Sequence, residues 1–426
     1  MSPLRIIYLC ADPGIPVLGF KGASTHVRSL VRALTEAGHT VTVVCTTRGW
    51  GNQLATELVE VAPDAEARRL GQLGDLAFAR SGFSEKPGSE LKRLLHNGPL
   101  GEGVMSLCHT LQPNALYERY ALLCNAGARV AHTCNLPHIL ELNAPLIEER
   151  QRYWGLALPD VARTIEREVF SGADAILAVS APVRDFAIAG GAAAQRVSVL
   201  PNAVDPLLLA AGGNEVATAV RARHDLGAAV VIGFVGSLKP WHGVDLLLEA
   251  FADLDDKQLR LLIVGDGPQA ETLRLRAAAP ELAGTVIFTG QVPHAQIGAY
   301  LAAMDIAVAP YRASGPDQGS FYFSPLKVFE YMAAGLPVVA PHLGQIVEVV
   351  KHGQHGLLYP PDDTGALTAH LLQLIRNPAQ RTQMGCAGAT LVGQQYTWSG
   401  NAMRVAELIH RLRAVRSARC ASKVIP

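Results

Sequence analysis

The sequence predicts an α/β protein made of two doubly wound domains, on three observations. Short apolar runs, of the kind parallel strands bury on both faces, alternate with stretches of helical period through most of the chain. A strand, a glycine-bearing loop, a helix and a second strand open such a series twice, at residues 4–45 and again at residues 230–264. The 426 residues suffice for two domains of roughly 200 residues each, and 49% apolar against 17% charged residues supplies two cores.

Composition excludes several classes of function. The formal net charge is zero, which argues against a broad electrostatic footprint for nucleic acid. No segment has the roughly 18 consecutive apolar residues of a membrane span. Ile6-Ile7-Tyr8-Leu9-Cys10, turned by Asp12-Pro13-Gly14, reads as a buried strand and not as a signal peptide. Seven cysteines without a C-x-x-C, two of them (Cys10 and Cys45) in apolar strand-like runs, predict a reducing cytoplasm.

In the first half, residues 4–10 and Val41–Cys45 read as strands around a helix marked by Val27, Leu30, Val31 and Leu34 and stopped by Gly38. The loop Gly19-Phe20-Lys21-Gly22-Ala23-Ser24 lacks the spacing of a dinucleotide fingerprint; it suits close backbone approach to a ligand, or simply a loop that needs turning residues. Residues 64–112 show no clean period and are expected to form short helices. Leu116-Tyr117, His138–Leu142, Ala175–Val179 and Val197–Leu200 read as further strands. Glu141-Leu142-Asn143-Ala144-Pro145 puts polar groups at a strand end, the edge where open α/β sheets bind ligands, although Asn before Ala-Pro is also ordinary turn chemistry.

In the second half, residues 210–229 are expected to form a loop and a short helix, and Val230–Val235 leads into Gly236-Ser237-Leu238-Lys239-Pro240-Trp241-His242-Gly243. Leu261–Val264 ends in Gly265-Asp266-Gly267-Pro268, where small residues let a nucleotide lie against the backbone. Val286–Thr289 and Ile306–Ala309 follow as strands, and the chain is helical after residue 363. In the last helix Ala402, Val405, Leu408, Ile409 and Leu412 form one stripe; Arg404, Arg411, Arg413 and Arg416 lie off it, as a solvated basic face or a contact for anionic lipid.

The stretch Tyr322–Ala340 carries the most information about function. Ser324 reads as a helix N-cap and Pro325 as the first helical residue; Leu326, Phe329, Met332 and Ala333 form the buried stripe, and Gly335 ends the helix. Lys327 stands in the first turn, where a cation opposes the helix dipole by roughly 0.3–1 kcal/mol unless an anion is bound there. Glu330, three residues on, shares its face. Amides and an ammonium for a diphosphate, with a carboxylate one turn deeper for ribose hydroxyls, suit a nucleotide; the same two residues equally suit a solvated Lys–Glu pair.

The wording of this stretch resembles the nucleotide-binding segment of the retaining glycosyltransferases with two facing Rossmann-like domains, the large bacterial family 4. Members carry two glutamates separated by seven residues before Ala-Ala-Gly-x-Pro-Val-Val-Ala. Glu330 matches the second; Tyr322 stands at the first, as in a subgroup reading Ser-Pro-Leu-Lys, and Asp317, with Gln318 in the same loop, is a candidate to supply part of what is missing. Pro201-Asn202-Ala203-Val204-Asp205 is similar to the family's entry into its second domain. The resemblance is thin before residue 115 and strong from 230 to 400. It implies the GT-B arrangement, with an acceptor-side domain at 1–203, a nucleotide-sugar domain at 204–399, a terminal helix at 400–426 crossing back to the first, and a cleft between the domains.

The resemblance also implies a metal-independent transfer of sugar from a nucleotide-sugar donor, with no further cofactor, to a sugar, lipid-linked or small-molecule acceptor. Catalysis would rest on holding the leaving diphosphate, through Lys239, Lys327 and Glu330. Gly22, Ser237, His242, Gly265, Gly267, Gln291, Ser324, Pro325 and Leu326 would line the donor, and Glu141 and Asn143 the acceptor side. Relatives have Arg and Lys where this chain has Ser237 and His242, and His near Asn143. The same architecture also serves an epimerase, a phosphorylase or a non-catalytic sugar-nucleotide-binding subunit. Two weaker signals are set aside: Asp253-Leu254-Asp255 lies before a strand, at the wrong sheet edge for a metal-binding D-x-D, and His132, Cys134 and His138 lack a fourth zinc ligand at standard spacing.

Overall fold

A computed structural model describes residues 2–81, 86–205, 214–313 and 321–422. The chain folds as two compact units, Met1–Pro201 with Trp398–Pro426, and Asn202–Thr397. The expected boundaries at 203/204 and 399/400 fall two residues from these.

In the first unit the strands are β1 (Arg5–Cys10), β2 (Thr40–Cys45), β3 (Glu57–Glu60), β4 (Ala115–Arg119), β5 (His138–Leu142), β6 (Ala175–Ala178) and β7 (Val197–Val199). They form one parallel sheet in the order β3-β2-β1-β4-β5-β6-β7. In the second unit, β8 (Val231–Val235), β9 (Arg260–Val264), β10 (Val286–Gly290), β11 (Ile306–Val308), β12 (Val338–Pro341) and β13 (Gly356–Tyr359) form a parallel sheet in the order β10-β9-β8-β11-β12-β13. Both orders reverse direction beside the first strand, so each unit is Rossmann-like. In open sheets of this kind ligands bind where the order reverses, here at the carboxyl ends of β1 and β4 or of β8 and β11.

Every residue of β4, β5, β6, β8, β12 and β13 is buried, which explains why their apolar runs do not alternate. One core of the second unit gathers Val231, Val235, Phe329 and Met332, and the other Phe234, Leu247, Ile263 and Leu371. The strands β3 and β13 were not anticipated: β3 is a four-residue edge strand with glutamates at both ends, and β13 is four residues long. The expectation of short helices at 64–112 is corrected, because helices run over Ala65–Arg80 and Gly88–Leu111. Asp64 caps the first through the Ala67 amide at 2.7 Å. A Cβ on Gly71 would lie 2.7 Å from the Gly88 carbonyl oxygen, so the pair crosses at a spacing that only glycine permits and without a broad apolar stripe. The final helix, Trp398–Ser422, packs on the helix Gly22–Glu36 of the first unit, and its Arg416 bonds Asp174 at 2.7 Å and Asn135 at 2.9 Å. No helix among the described residues is long and apolar enough to cross a membrane.

Candidate functional site

In the second unit, the crevice between β8 and β11 is where most of the sequence-predicted donor residues meet. The chain leaves β8 at Gly236, which has φ +147° and whose absent Cβ would lie 3.0 Å from Lys327 Nζ. Lys327 projects from the first turn of the helix Leu326–Ala333 and is 8% exposed. Its ammonium lies 4.3 Å from the centre of the Phe234 ring and 4.7 Å from that of Tyr311, and has no hydrogen-bond partner among the described residues. Burial drives its pKa down from the ordinary lysine value to about 7; Glu330 opposes the shift and Lys239 adds to it. Glu330, its side chain 14% exposed, bonds His294 Nε2 through Oε1 at 3.1 Å.

The flanking residues differ from expectation in instructive ways. Ser324 is not the N-cap: Pro325 holds that position and the helix begins at Leu326. Ser324 instead accepts the Asn202 amide at 2.9 Å through Oγ and the Asn202 side chain at 2.6 Å through its carbonyl. Leu326 and Ala333 are only half-buried, and Lys327, Val328 and Tyr331 join Phe329 and Met332 inside. The space beside Gly265 and Gly267 is taken by the chain itself, since a Cβ would lie 2.0 Å from the Gly236 carbonyl oxygen and 2.6 Å from the Leu238 nitrogen. These glycines let the loop Gly236–Gly243 pack on the end of β9, fixed by Leu238 N–H to Asp266 O at 3.0 Å.

His242 donates through Nδ1 to the Ser237 carbonyl within that loop. Burial, then the neighbouring Lys327, hold its pKa well below the usual imidazole value, so it brings no positive charge at neutral pH. Lys239 places its ammonium 4.8 Å from the Trp241 ring centre. Gln291 is exposed just past β10. Tyr322, 4% exposed, packs its ring 4.3 Å from that of Phe323. Asp317 and Gln318 lie outside the described residues.

In the first unit, Glu141 and Asn143 are brought together and Gly22 stands apart, exposed at the start of the helix Gly22–Glu36. Register explains the cluster. Tyr8 of β1 faces Tyr117 of β4, Arg119 of β4 faces Glu141 of β5, and the period of two puts all four on one face of the sheet. Glu141, 2% exposed, accepts from Tyr8 at 3.2 Å, Tyr117 at 2.9 Å and Asn143 Nδ2 at 2.7 Å, pairs with His26 Nε2 at 3.0 Å, and is ion-paired with Arg119. Burial alone would raise its pKa, but the charges of His26 and Arg119 and the hydrogen bonds from His26 and Asn143 hold it well below the usual carboxylate range. A carboxylate engaged in this way cannot turn outward to a ligand; the reading of Glu141 as a direct acceptor contact gives way to one in which it positions Asn143 and His26.

Sequence reasoning missed His26, Arg119, Tyr8, Tyr117, Phe234, Tyr311 and His294. The signal for the first group was present: polar atoms two residues apart at the carboxyl end of fully apolar strands. His294 carried none, since its pairing with Glu330 spans 36 residues. Of the signals set aside, Asp253 is the C-cap of the helix Val244–Ala252, and His138 is buried against Glu118 at 2.7 Å.

Comparison with known proteins agrees with this fold. The family described as Glycosyltransferase Family 4 matches residues 20–207, and that described as Glycosyl transferases group 1 matches residues 229–377. The GDP-mannose-dependent alpha-(1-6)-phosphatidylinositol monomannoside mannosyltransferase of Mycolicibacterium smegmatis is 32% identical over 267 residues, covering 62% of this chain and 69% of that protein. The D-inositol 3-phosphate glycosyltransferase of Corynebacterium efficiens is 30% identical over 58% of this chain and 59% of that one. Among solved structures, sucrose-phosphate synthase from Thermosynechococcus elongatus has a TM-score of 0.72 at 20% identity, covering 97% of this chain and all of the other. HepE of Anabaena in complex with UDP has a TM-score of 0.70 at 19% identity, covering 96% and 100%. This chain belongs to glycosyltransferase family 4, and it is a glycosyltransferase built from the two Rossmann-like domains of the GT-B fold.

Proposed function

We propose that the protein transfers a hexosyl group from a nucleoside-diphosphate sugar to an acceptor with retention of anomeric configuration and without a metal ion. The observation that carries this reading is the Lys327 ammonium, buried at the carboxyl end of β8, aimed at the Gly236 backbone and without a hydrogen-bond partner among the described residues. A leaving diphosphate there takes the ammonium as a charge-assisted donor. The amino end of the helix Leu326–Ala333 adds its dipole, and Lys239 contributes from the loop. With no arginine in the loop Gly236–Gly243, neutralisation of the leaving group leans on Lys239, Lys327 and the helix end. Glu330, steadied by His294, accepts the ribose diol one turn deeper.

The GDP-mannose dependence of the mannosyltransferase relatives makes GDP-mannose the first donor to assay, with UDP-glucose beside it; the acceptor is a sugar, a lipid-linked or a small hydroxyl compound. Following the anomeric proton of donor and product by NMR tests the reading. A product of the donor's own anomeric configuration, formed equally well in EDTA, is expected. Inversion, or turnover abolished by EDTA and restored by magnesium or manganese, contradicts it.

A further inference from the structure

A recess in the first unit holds cationic groups that the transfer described above does not use. It is a small recess, partly open to solvent, between the ends of β1 and β2 and the helix Gly88–Leu111. Ala11, Pro13 and Thr46 form one side and Leu122 and Cys124 another. The helix presents Lys92 and Arg93 with His96 and Asn97 one turn on, two pairs at a spacing of four that share one face.

Asn97 is fully engaged: its side chain donates to the Leu123 carbonyl at 2.8 Å and accepts the Asn125 and Ala126 amides at 3.0 and 3.1 Å. His96 closes the wall, with the Thr46 hydroxyl 3.4 Å from Nε2, and burial lowers its pKa, so it brings no charge at neutral pH. The two cations are left. Arg93 gives one amino group, Nη2, to Asp12 at 3.2 Å, while its buried Nη1 has no hydrogen-bond partner among the described residues. Lys92 makes no ion pair or hydrogen bond among the described residues. Asp12 also accepts the Gly14 amide at 2.7 Å, so the carboxylate that meets Arg93 is shared with the backbone.

We propose that this recess binds a phosphate monoester carried by the acceptor, with Arg93 Nη1 and the Lys92 ammonium as its donors. A guanidinium edge and an ammonium lining one recess with apolar walls suit an oxyanion with several terminal oxygens, and the recess opens at the sheet edge where doubly wound domains bind their ligands. The assignment to the acceptor rests on the protein being a nucleotide-sugar transferase; the phosphate site itself does not.

Calorimetry with methyl phosphate tests it, in a Lys327→Ala background so that the nucleotide site contributes little. Lys92→Gln should weaken methyl phosphate binding at least tenfold, and Lys92→Gln with Arg93→Gln should abolish it. Lys92 is half-buried and has no described partner, so the single variant carries the test if loss of the Arg93–Asp12 pair unfolds the double one. Methyl phosphate affinity within twofold of the parent in Lys92→Gln overturns the proposal, as does acetate binding as tightly as methyl phosphate, which would make the ligand a carboxylate. Nucleoside diphosphate is titrated into Lys92→Gln with Lys327 intact. If it binds there while the Lys327→Ala parent fails to bind methyl phosphate, this site alone is refuted; if neither binding is seen, the transferase reading fails with it.

Discussion

Each unit buries charge at the carboxyl end of its central strands, and Glu141 in the first and Lys327 in the second are treated in opposite ways. Glu141 is met by two tyrosines, an arginine, a histidine and an asparagine. Lys327, equally enclosed, has two aromatic faces and no hydrogen-bond acceptor among the described residues. The fold has already satisfied the first charge, and satisfaction shows as a pKa moved toward the charged form. The second is left to a ligand, and the deficit shows as a pKa moved toward the neutral form. The contrast separates a charge that holds a site together from a charge that is the site.

The largest effect should come from breaking the satisfied charge. Glu141→Ala leaves Arg119 buried without its partner and should destabilise the protein by about 3–5 kcal/mol, read as a lower urea midpoint or melting temperature. If stability changes by less than about 1 kcal/mol, the cluster is not structural and Glu141 returns as a ligand contact.

Next is Lys327→Met. It removes an unpaired buried charge that opposes the helix dipole, so stability should hold or rise, while affinity for nucleoside diphosphate falls by about 1.5–3 kcal/mol and the nucleoside binds nearly as before. The wild-type protein should also gain stability as pH rises from about 7 toward 10.5. The native state gives up the Lys327 proton near pH 7 and the unfolded chain keeps it until near the ordinary lysine value, so the unfolded state binds more protons throughout that window. In the variant that gain should vanish; an unchanged pH–stability curve would place the unpaired charge elsewhere.

The smallest effect concerns Glu330. Glu330→Gln can still accept one bond from a ribose hydroxyl and should raise the donor KM several-fold at most, by roughly 1 kcal/mol. A 2′-deoxyribose donor should be penalised on the wild type and hardly at all on Glu330→Ala, the non-additivity of a direct contact. Equal penalties on both proteins would leave Glu330 as the partner of His294 only.

These expectations mark how far the sequence could be read. Most strands and the two doubly wound sheets were legible, because parallel strands buried on both faces are written as apolar runs. The two long helices between Ala65 and Leu111 were not, because they meet through Gly71 and Gly88 at a distance where backbone, not an apolar stripe, makes the contact. Lys327 and Glu330 were legible from their place at the start of a helix. The burial of Lys327 was not, since Phe234 reaches it from β8 and Tyr311 from the segment that follows β11. Ser324 was misread as a cap because Asn202, 122 residues away, takes its hydroxyl. Glu141 pointed to a site by position alone, and only the strand register shows that Tyr8, Tyr117 and Arg119 occupy it.

The central claim is that Lys327 is a charge left incomplete for a diphosphate, and proton uptake measures it most directly. At pH 8, above its pKa of about 7, the free protein holds Lys327 mostly neutral. A bound diphosphate should restore the ammonium. Calorimetry of nucleoside diphosphate binding in two buffers of different ionisation enthalpy should then report an uptake of about one proton per site, and affinity should fall by up to about tenfold per pH unit above 7. Both effects should be absent in Lys327→Met. Binding without proton uptake in the wild type, or the same uptake in the variant, would contradict the account.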